Sequence, residues 1–276
     1  MRLILTLAIF APLLACNQTI PRPTLPPLPD TPPVSAPRKL VWSDEFDKDG
    51  LPDPAKWGYD VGGGGWGNNE LQYYTKARSE NARVEGGNLI IEARREPFEN
   101  RQYTSARLLT KTTATWTYGR IEVRAKLPSG RGTWPAIWML GKNIDTAGWP
   151  LCGEIDIMEH VGFDEGVIHG TVHTDAYNHS KGTQKGQQTT VPDATSAFHS
   201  YAIEWSATRI DFYVDDTIYY TVSSEALGAQ ETQWPFRQPF FLILNMAVGG
   251  NWGGQKGVDE TIWPRRMVVD YVRVYQ

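Results

Sequence analysis

Alternation of apolar and polar residues with a period of two is the pattern that most constrains how this chain folds. It is strictest over residues 119–127, where apolar side chains alternate with charged ones, and it recurs at 88–93, 198–205, 210–214 and 267–275. Successive side chains of a β-strand point to opposite faces of a sheet, so each run predicts a strand with one buried face. Residues 240–248 are nearly all apolar and predict a strand buried on both faces.

Breaks rich in glycine and proline separate these runs, and the chain contains 26 Gly and 19 Pro. The residues 206–209 between two of the runs predict a hairpin turn. From residue 40 onward there is no internal repeat, and no long segment carries a helical stripe. Many short strands separated by turn signals predict one all-β domain, either a sandwich or a jelly roll.

The N-terminal residues differ in composition from the rest. Residues 1–16 carry one positive charge, at Arg2, followed by an apolar run too short to span a bilayer. The segment ends in Leu13-Leu14-Ala15-Cys16. This pattern is typical of a bacterial lipoprotein signal peptide, in which the cysteine is lipidated; an ordinary secretory signal is the alternative. Residues 17–37 predict an extended proline-rich linker, and 38–276 the folded domain. We therefore expect an exported protein of the cell envelope, lipid-anchored at Cys16 to a bacterial membrane, the outer membrane being one candidate.

Charge and cysteine content exclude several classes of protein. The net charge of −4 provides no electrostatic attraction to nucleic acid, so no nucleic-acid partner is expected. Only Cys152 remains once Cys16 is lipidated, so no internal disulfide can form. No Cys/His metal cluster is visible in the sequence, and we expect a monomer.

An unusual concentration of acidic residues lies at 154–159. Glu154 and Asp156 alternate with isoleucines, so in a strand they share a face. Glu159 falls out of phase, and a β-bulge near Met158 would bring it back to the acidic face. Adjacent carboxylates repel and raise each other's pKa, which is costly unless the chemistry needs it. Retaining glycosidases need two carboxylates about 5–5.5 Å apart; on spacing alone, an exposed acidic strand is an equal alternative.

The sequence around these carboxylates resembles glycoside hydrolase family 16 in its bulged, laminarinase-like form; the form typical of lichenases lacks the residue at Met158. The resemblance covers nearly all of residues 40–276 and is collinear with the family. It is carried by Trp42-Ser43-Asp44-Glu45-Phe46, Gly65-Trp66-Gly67-Asn68-Asn69-Glu70-Leu71-Gln72-Tyr73-Tyr74-Thr75, Tyr118-Gly119-Arg120-Ile121-Glu122-Val123-Arg124, Gly132-Thr133-Trp134-Pro135-Ala136-Ile137-Trp138-Met139-Leu140, Gly153-Glu154-Ile155-Asp156-Ile157-Met158-Glu159, His169-Gly170-Thr171-Val172-His173 and Asn245-Met246-Ala247-Val248-Gly249-Gly250-Asn251-Trp252.

The resemblance implies a β-jelly-roll sandwich of two antiparallel sheets with a concave substrate cleft. It implies a retaining endo-glycosidase that hydrolyses β-1,3-glucan by double displacement and needs no cofactor for catalysis. Glu154 would be the nucleophile, Glu159 the general acid/base, and Asp156 would share a proton with Glu154. Two alternatives stay open: a mixed-linkage β-1,3-1,4-glucanase, and a non-catalytic glucan-binding protein on the same fold.

Further residues would contact the glucan. Trp134 and Trp138 lie four apart and share a strand face, which is also typical of paired core aromatics. The resemblance implies that aromatics at these positions floor the subsites beside the scissile bond. Trp66 and Asn69 lie in a glycine-rich loop that the resemblance assigns to the negative subsites, with Asn69 bonding a sugar hydroxyl. Arg107 matches the family's sugar-binding arginine, although a lone arginine can equally form a surface ion pair.

Three more positions are implied at the cleft. His173 shares a strand face with His169; a zinc pair there lacks a third ligand, and the resemblance instead places His173 near the carboxylates, where it could bond Glu159 or a sugar hydroxyl. Asn251 and Trp252 resemble residues at the rim of the cleft, although they could equally serve turn geometry.

A metal site is implied on the opposite face. Many relatives carry one structural Ca²⁺ there, and the matching positions are Glu45, Gly87 and Asp270. Backbone oxygens contribute to such a site and leave little trace in a sequence, and Asp270 could be an ordinary exposed strand residue.

Overall fold

The computed structural model describes residues 38–276, and the predicted signal peptide, Cys16 and proline-rich linker lie outside the described residues. Strands make up most of the regular secondary structure: β1 Leu40–Asp44, β2 Gly58–Tyr59, β3 Gln72–Tyr74, β4 Ala82–Glu85, β5 Asn88–Phe98, β6 Arg101–Ser105, β7 Arg107–Leu109, β8 Gly119–Lys126, β9 Thr133–Gly141, β10 Glu154–Glu159, β11 Val167–His173, β12 Lys185–Thr190, β13 His199–Trp205, β14 Arg209–Val214, β15 Thr217–Ser223, β16 Phe240–Val248 and β17 Arg265–Tyr275. The helices are single turns: α1 Ile144–Ala147, α2 Ser224–Leu227 and a 3₁₀ turn His179–Lys181. Among the described residues, no helix is long and apolar enough to cross a membrane.

The strands form two sheets, as the all-β prediction requires. The larger sheet has ten strands in the order β15-β14-β13-β8-β17-β5-β6-β3, with β1 added to β17 and β4 added to β5. The smaller sheet has seven strands in the order β12-β11-β10-β9-β16-β7-β2. Pairing is antiparallel except between β3 and β6, which run parallel. The jelly-roll sandwich is therefore confirmed, with one parallel pair that the alternation could not predict.

The main core lies between the two sheets. Ile121 and Val123 of β8 face it from the larger sheet, and Leu242 and Leu244 of β16 face it from the smaller one. The alternating residues of β16, which include Ile243, join a second apolar cluster on the outer face of the smaller sheet. All nine residues of β16 are consequently buried, so the predicted burial on both faces is confirmed.

Several predicted boundaries agree closely with the structure. The runs at 198–205 and 210–214 form β13 and β14, which pair directly and turn where Ser206 N–H donates to the Arg209 carbonyl oxygen at 2.8 Å. The run at 119–127 is β8, one residue shorter than expected. Residues 88–93 are only the first half of β5, because the strand continues through a charged stretch to Phe98.

Candidate active site

A β-bulge shapes the strand that carries the carboxylates, β10. On its neighbour β11, Asp156 pairs with Thr171 and Glu159 pairs with His169, so two residues of β10 face the single residue Gly170. The same irregularity breaks the register with β9 between Asp156 and Met158. A bulge inserts one residue and reverses the alternation beyond it. The structure therefore contains the bulge that the odd spacing of the carboxylates predicted.

The bulge sorts the side chains of β10 between two faces. Ile155, Ile157 and Met158 all lie in the main core and are at most 1% exposed. Because two consecutive residues, Ile157 and Met158, point inward, the three acidic residues share the outer face of the smaller sheet. We call this outer face, from β11 across to β7, the cleft.

The three carboxylates lie in surroundings that disfavour charge. Burial is the largest cause that raises the pKa of each of Glu154, Asp156 and Glu159, and the charge of Asp156 raises the pKa of both glutamates further. A hydrogen bond with Glu154 opposes the shift of Asp156. The cluster therefore holds protons at pH values where isolated carboxyl groups are ionised, as a site that needs one acid and one base requires.

Two indole groups hold the two glutamates from opposite sides. Trp149 donates its indole N–H to Oε2 of Glu154, and Trp134 donates its indole N–H to Oε1 of Glu159, each at 3.0 Å. Each bond lowers the pKa of its glutamate against the raising effect of burial. The bonds also fix the direction in which each carboxylate faces the cleft.

His173 lies at the Glu154 end of the acidic strand. Its Nε2 is 3.3 Å from Oδ2 of Asp156 and 3.7 Å from Oε1 of Glu154. The strand register explains this position, because His173 pairs with Glu154 whereas His169 pairs with Glu159. The proximity of His173 to the carboxylates agrees with the resemblance, but a bond to Glu159 does not, because Glu159 is at the other end of β10.

Trp138 and Trp66 enclose the guanidinium group of Arg107. The Arg107 guanidinium carbon is 4.6 Å from the ring centre of Trp138 and 4.8 Å from that of Trp66. The guanidinium Nε forms an ion pair with Asp60 at 2.9 Å. Both rings lie within cation–π distance of the guanidinium, which holds its N–H groups in place for recognition of sugar hydroxyls.

Two loops meet at one edge of the cleft. Asn69 donates its side-chain amide to the Asn251 side-chain oxygen at 2.8 Å, and Asn251 N–H donates to the Asn68 carbonyl oxygen at 2.7 Å. Trp66 and Asn69 both adopt positive φ angles, of 51° and 55°. Asparagine adopts such angles readily, whereas a bulky residue such as Trp66 does so at a cost, and strained residues of this kind cluster at functional sites. Asn69 therefore joins the two loops, and its predicted bond to a sugar hydroxyl stays a prediction.

Trp252 lies next to the general acid/base candidate. Its ring packs edge-on against Trp134 at 5.5 Å and against His169 at 4.9 Å between ring centres. These three rings form an aromatic cluster beside Glu159, to which Trp134 is hydrogen-bonded. The sequence placed Trp252 at the rim of the cleft, and this position is consistent with that role.

Two sets of residues are candidates for binding a metal. One ligand atom from each of Glu154, Asp156 and His173 lies within 4.8 Å of the others, which is a donor set that could hold a divalent cation. The predicted calcium residues fit an ion poorly: Glu45 accepts two hydrogen bonds from Arg273, and the Asp270 carboxylate is paired with Arg124. Both carboxylates are thus neutralised by arginines.

Sequence reasoning missed three residues that organise the cleft. Trp149 reaches Glu154 from the β9–β10 connection, Asp60 pairs with Arg107, and Asn245 accepts the Trp138 indole N–H at 2.7 Å. Asn245 could have been found, because it interrupts the otherwise apolar run of β16. Trp149 and Asp60 lie in connecting segments, where no periodicity indicates which way a side chain points.

Comparison with known proteins agrees with this geometry. Residues 69–273 match the model of the family described as glycosyl hydrolases family 16. A curated β-glucanase of Rhodothermus marinus is 64% identical over 243 residues, covering 86% of this chain and 85% of that protein. The range of the family match spans the whole of β10.

Solved structures resemble the fold over the same region. The X-ray structure of the laminarinase from Rhodothermus marinus superposes with a TM-score of 0.85 at 64% identity, covering 87% of this chain and 97% of that chain. A mutant of SCLam, described as a non-specific endo-β-1,3(4)-glucanase from family GH16 and crystallised with a glucan oligosaccharide, superposes with a TM-score of 0.84 at 49% identity, covering 87% and 95%.

Proposed function

This chain belongs to glycosyl hydrolase family 16, and from that premise we propose that it is a retaining endo-β-1,3-glucanase acting on laminarin-type glucans. The observation that carries the proposal is the bulged strand β10, which presents Glu154, Asp156 and Glu159 on one face of the cleft. Two of these carboxylates suffice for double displacement, and family 16 hydrolases need no cofactor for catalysis.

In the first step, ionised Glu154 attacks the anomeric carbon while protonated Glu159 donates its proton to the departing glycosidic oxygen. The Trp149 hydrogen bond favours the ionised form of Glu154, and burial favours the protonated form of Glu159. Asp156, between them, takes part in a hydrogen bond with Glu154 and can retain a proton as Glu154 becomes an ester.

In the second step, Glu159 acts as a base. Having lost its proton, it removes one from a water molecule, which attacks the anomeric carbon of the glycosyl-enzyme and releases Glu154. Two inversions at one carbon retain its configuration. Ester formation removes the negative charge of Glu154, and loss of that charge lowers the pKa of Glu159 when the base is needed, because the two groups repel.

The β-1,3 linkage is supported by the relatives and by the bulge. The Rhodothermus marinus relative is described as a laminarinase, and β10 has the bulged form that is typical of laminarinase-like members. A mixed-linkage β-1,3-1,4-glucanase is the second candidate, because SCLam at 49% identity is described as acting on both linkages. A purely glucan-binding role is disfavoured, because all three carboxylates are retained.

A substrate panel tests the proposal. Laminarin, curdlan, lichenan, agarose and carrageenan would be incubated with the enzyme, and new reducing ends would be measured. We expect fastest release from laminarin, slower release from lichenan, and none from the two galactans. No activity on laminarin would overturn the proposal, and preference for lichenan would favour the second candidate.

We also propose that the catalytic domain is tethered to a bacterial membrane through acylated Cys16, with the proline-rich residues 17–37 as a spacer, and that it acts as a monomer. The composition of residues 1–37 supports the anchor. Mass spectrometry of the mature N-terminus in membrane fractions would show diacylglyceryl-cysteine at position 16. A mature chain that starts elsewhere without lipid would instead indicate plain secretion.

A structural Ca²⁺ at Glu45, Gly87 and Asp270 stays a prediction from the family resemblance. In the described arrangement, an ion there would have to bind backbone oxygens or displace Arg273 and Arg124 from the two carboxylates. Thermal unfolding measured with excess Ca²⁺ and with a chelator tests it: a bound ion raises the melting temperature, and identical curves would remove the site.

A further inference from the structure

Glu70 is a fourth buried carboxylate near the cleft, and it lies outside the acidic strand. It is 6% exposed and follows the glycine-rich loop that carries Trp66. It accepts hydrogen bonds from the Gln72 amide at 2.6 Å, and from the Asn68 amide and the Tyr74 hydroxyl at 3.3 Å each. Burying a carboxylate is costly, so three donors around one group indicate a specific structural or functional need.

Two N–H groups, which can only donate, determine how the side-chain amides of Gln72 and Asn245 are oriented in this network. Val248 N–H donates to Oε1 of Gln72 at 2.8 Å, so the Gln72 amide nitrogen must face Glu70. The Trp138 indole N–H donates to Oδ1 of Asn245, so the Asn245 amide nitrogen must face the Tyr74 hydroxyl, at 3.0 Å. The Tyr74 hydrogen is then free to donate to Glu70.

The hydrogen bonds therefore run in one direction, from Trp138 through Asn245 and Tyr74 to Glu70. Only a group that accepts can terminate such a chain. A glutamine at position 70 could place its amide oxygen where Oε2 lies, keep the bonds from Gln72 and Tyr74, and so leave the chain intact. A leucine has no acceptor and would leave Gln72, Tyr74 and Asn68 without this partner.

The chain begins at Trp138, which lies against the Arg107 guanidinium. The rings of Trp138 and Trp66 both lie within 5 Å of the guanidinium carbon, and Trp66 also packs on Tyr74 at 5.3 Å between ring centres. Burial raises the pKa of Glu70, and the positive charge of Arg107 opposes that shift. Both the network and the charge thus connect Glu70 to the part of the cleft that holds Arg107.

We propose that Glu70 is a positioning residue that, through Tyr74 and Asn245, fixes the Trp138 indole and with it the Arg107 guanidinium for recognition of a β-glucan chain. The inference rests on the proposed function, because it assigns Glu70 to the substrate cleft of that enzyme. Glu70 acts through the groups that it orients and is given no part in the bond-breaking steps, so its loss should weaken glucan binding more than it slows bond cleavage.

The test measures binding with hydrolysis switched off. Glu154→Gln supplies the non-cleaving background, and calorimetry measures the Kd for laminarihexaose with and without Glu70→Leu, which removes the acceptor. We expect the Kd to rise by about tenfold or more, since a buried hydrogen-bonding network is broken. Tyr74→Phe interrupts the same chain and should weaken binding similarly, and the two changes together should be less than additive.

Glu85→Leu is the matched control, because Glu85 is exposed and, among the described residues, forms its ion pair with Arg83 on the other sheet; the Kd of this variant should be unchanged. In the enzyme with Glu154 intact, Glu70→Leu should raise KM more than it lowers kcat. A folded Glu70→Leu variant with an unchanged Kd would overturn the inference, as would full additivity with Tyr74→Phe.

A measurement without sugar separates this inference from the proposed function. The indole N–H signal of Trp138, identified in NMR spectra by its loss in Trp138→Phe, should exchange with solvent about tenfold faster or more in Glu70→Leu. Unchanged exchange would overturn the positioning role. If the Glu154→Gln parent fails to bind laminarihexaose, the proposed function fails, and the exchange rates still decide the role of Glu70.

Discussion

Trp134 donates its indole N–H to Oε1 of Glu159 at 3.0 Å, and so ties the proposed general acid/base to the neighbouring strand β9. A matching bond joins Trp149 to Glu154 at the same distance. Burial raises the pKa of both glutamates, and each indole bond partly reverses that shift. The two tryptophans therefore tune the acid and the nucleophile separately.

Trp149→Phe should move the acidic limb of the pH profile of kcat/KM to higher pH. The lost bond favoured ionised Glu154, so its pKa rises, and the nucleophile must be ionised to attack. A hydrogen bond to a charged group contributes about 1.5–3 kcal/mol, so activity on the acidic side should fall roughly 10- to 100-fold. An acidic limb that stays in place would show that Trp149 does not act on Glu154.

Trp134→Phe should move the basic limb of the pH profile of kcat/KM. The pKa of Glu159 rises when the indole bond is lost, and the acid must be protonated in the first step, so the basic limb shifts to higher pH. The two phenylalanine variants thus predict shifts on opposite limbs, measured by initial rates on laminarin across pH. If Trp134→Phe shifted the acidic limb alone, the roles of Glu154 and Glu159 would have to be exchanged.

Glu159→Gln should discriminate between substrates by their leaving groups. General acid catalysis contributes about 10²–10⁴-fold, so hydrolysis of laminarin should fall by at least that range. An aryl β-glucoside of a laminari-oligosaccharide with an acidic phenol needs no proton to leave, so its first phenol release should persist as a burst. Stopped-flow absorbance measures the phenol release. If both substrates are slowed equally, Glu159 is not the general acid/base.

Gly170→Ala should destabilise the protein by overpacking the space between the sheets. Gly170 lies opposite the bulge of β10, and a Cβ there would lie 2.3 Å from the Tyr219 hydroxyl oxygen and 2.8 Å from a Phe212 ring carbon of the other sheet. Overpacking of this kind costs about 1–3 kcal/mol of unfolding free energy.

Gly58→Ala is the control for that change, because its nearest atoms would be 3.7 and 4.0 Å away. Urea denaturation should show a lower midpoint for Gly170→Ala and little change for Gly58→Ala. Equal midpoints would mean that the room opposite the bulge is not limiting.

The fold was predictable where one face of a strand is buried. The alternation in β8 and the apolar run of β16 follow from the same requirement, that every apolar side chain reach the core. The edge strands β2 and β12 could not be found in this way, because they are two residues long or mostly exposed. The parallel pairing of β3 with β6 depends on contacts distant in sequence.

The carboxylates were predictable because three neighbouring acids repel one another and destabilise the fold unless they have a function. Their clustering therefore indicates a catalytic site, and the odd spacing of Glu159 required the bulge that the structure contains. The residues that support them were not predictable on the same ground. Trp149 and Asp60 act from loops, and the direction of the hydrogen bonds from Trp138 to Glu70 emerges only when all four groups are placed together.

The stereochemistry of the first product tests the central claim most directly. Laminarihexaose would be mixed with the enzyme, and the anomeric proton signals of the new reducing end would be followed by NMR before mutarotation. Double displacement through Glu154 predicts that the β-anomer appears first and the α-anomer grows in slowly. An α-anomer that appears first would mean a single displacement and would contradict the assignment of Glu154 as nucleophile.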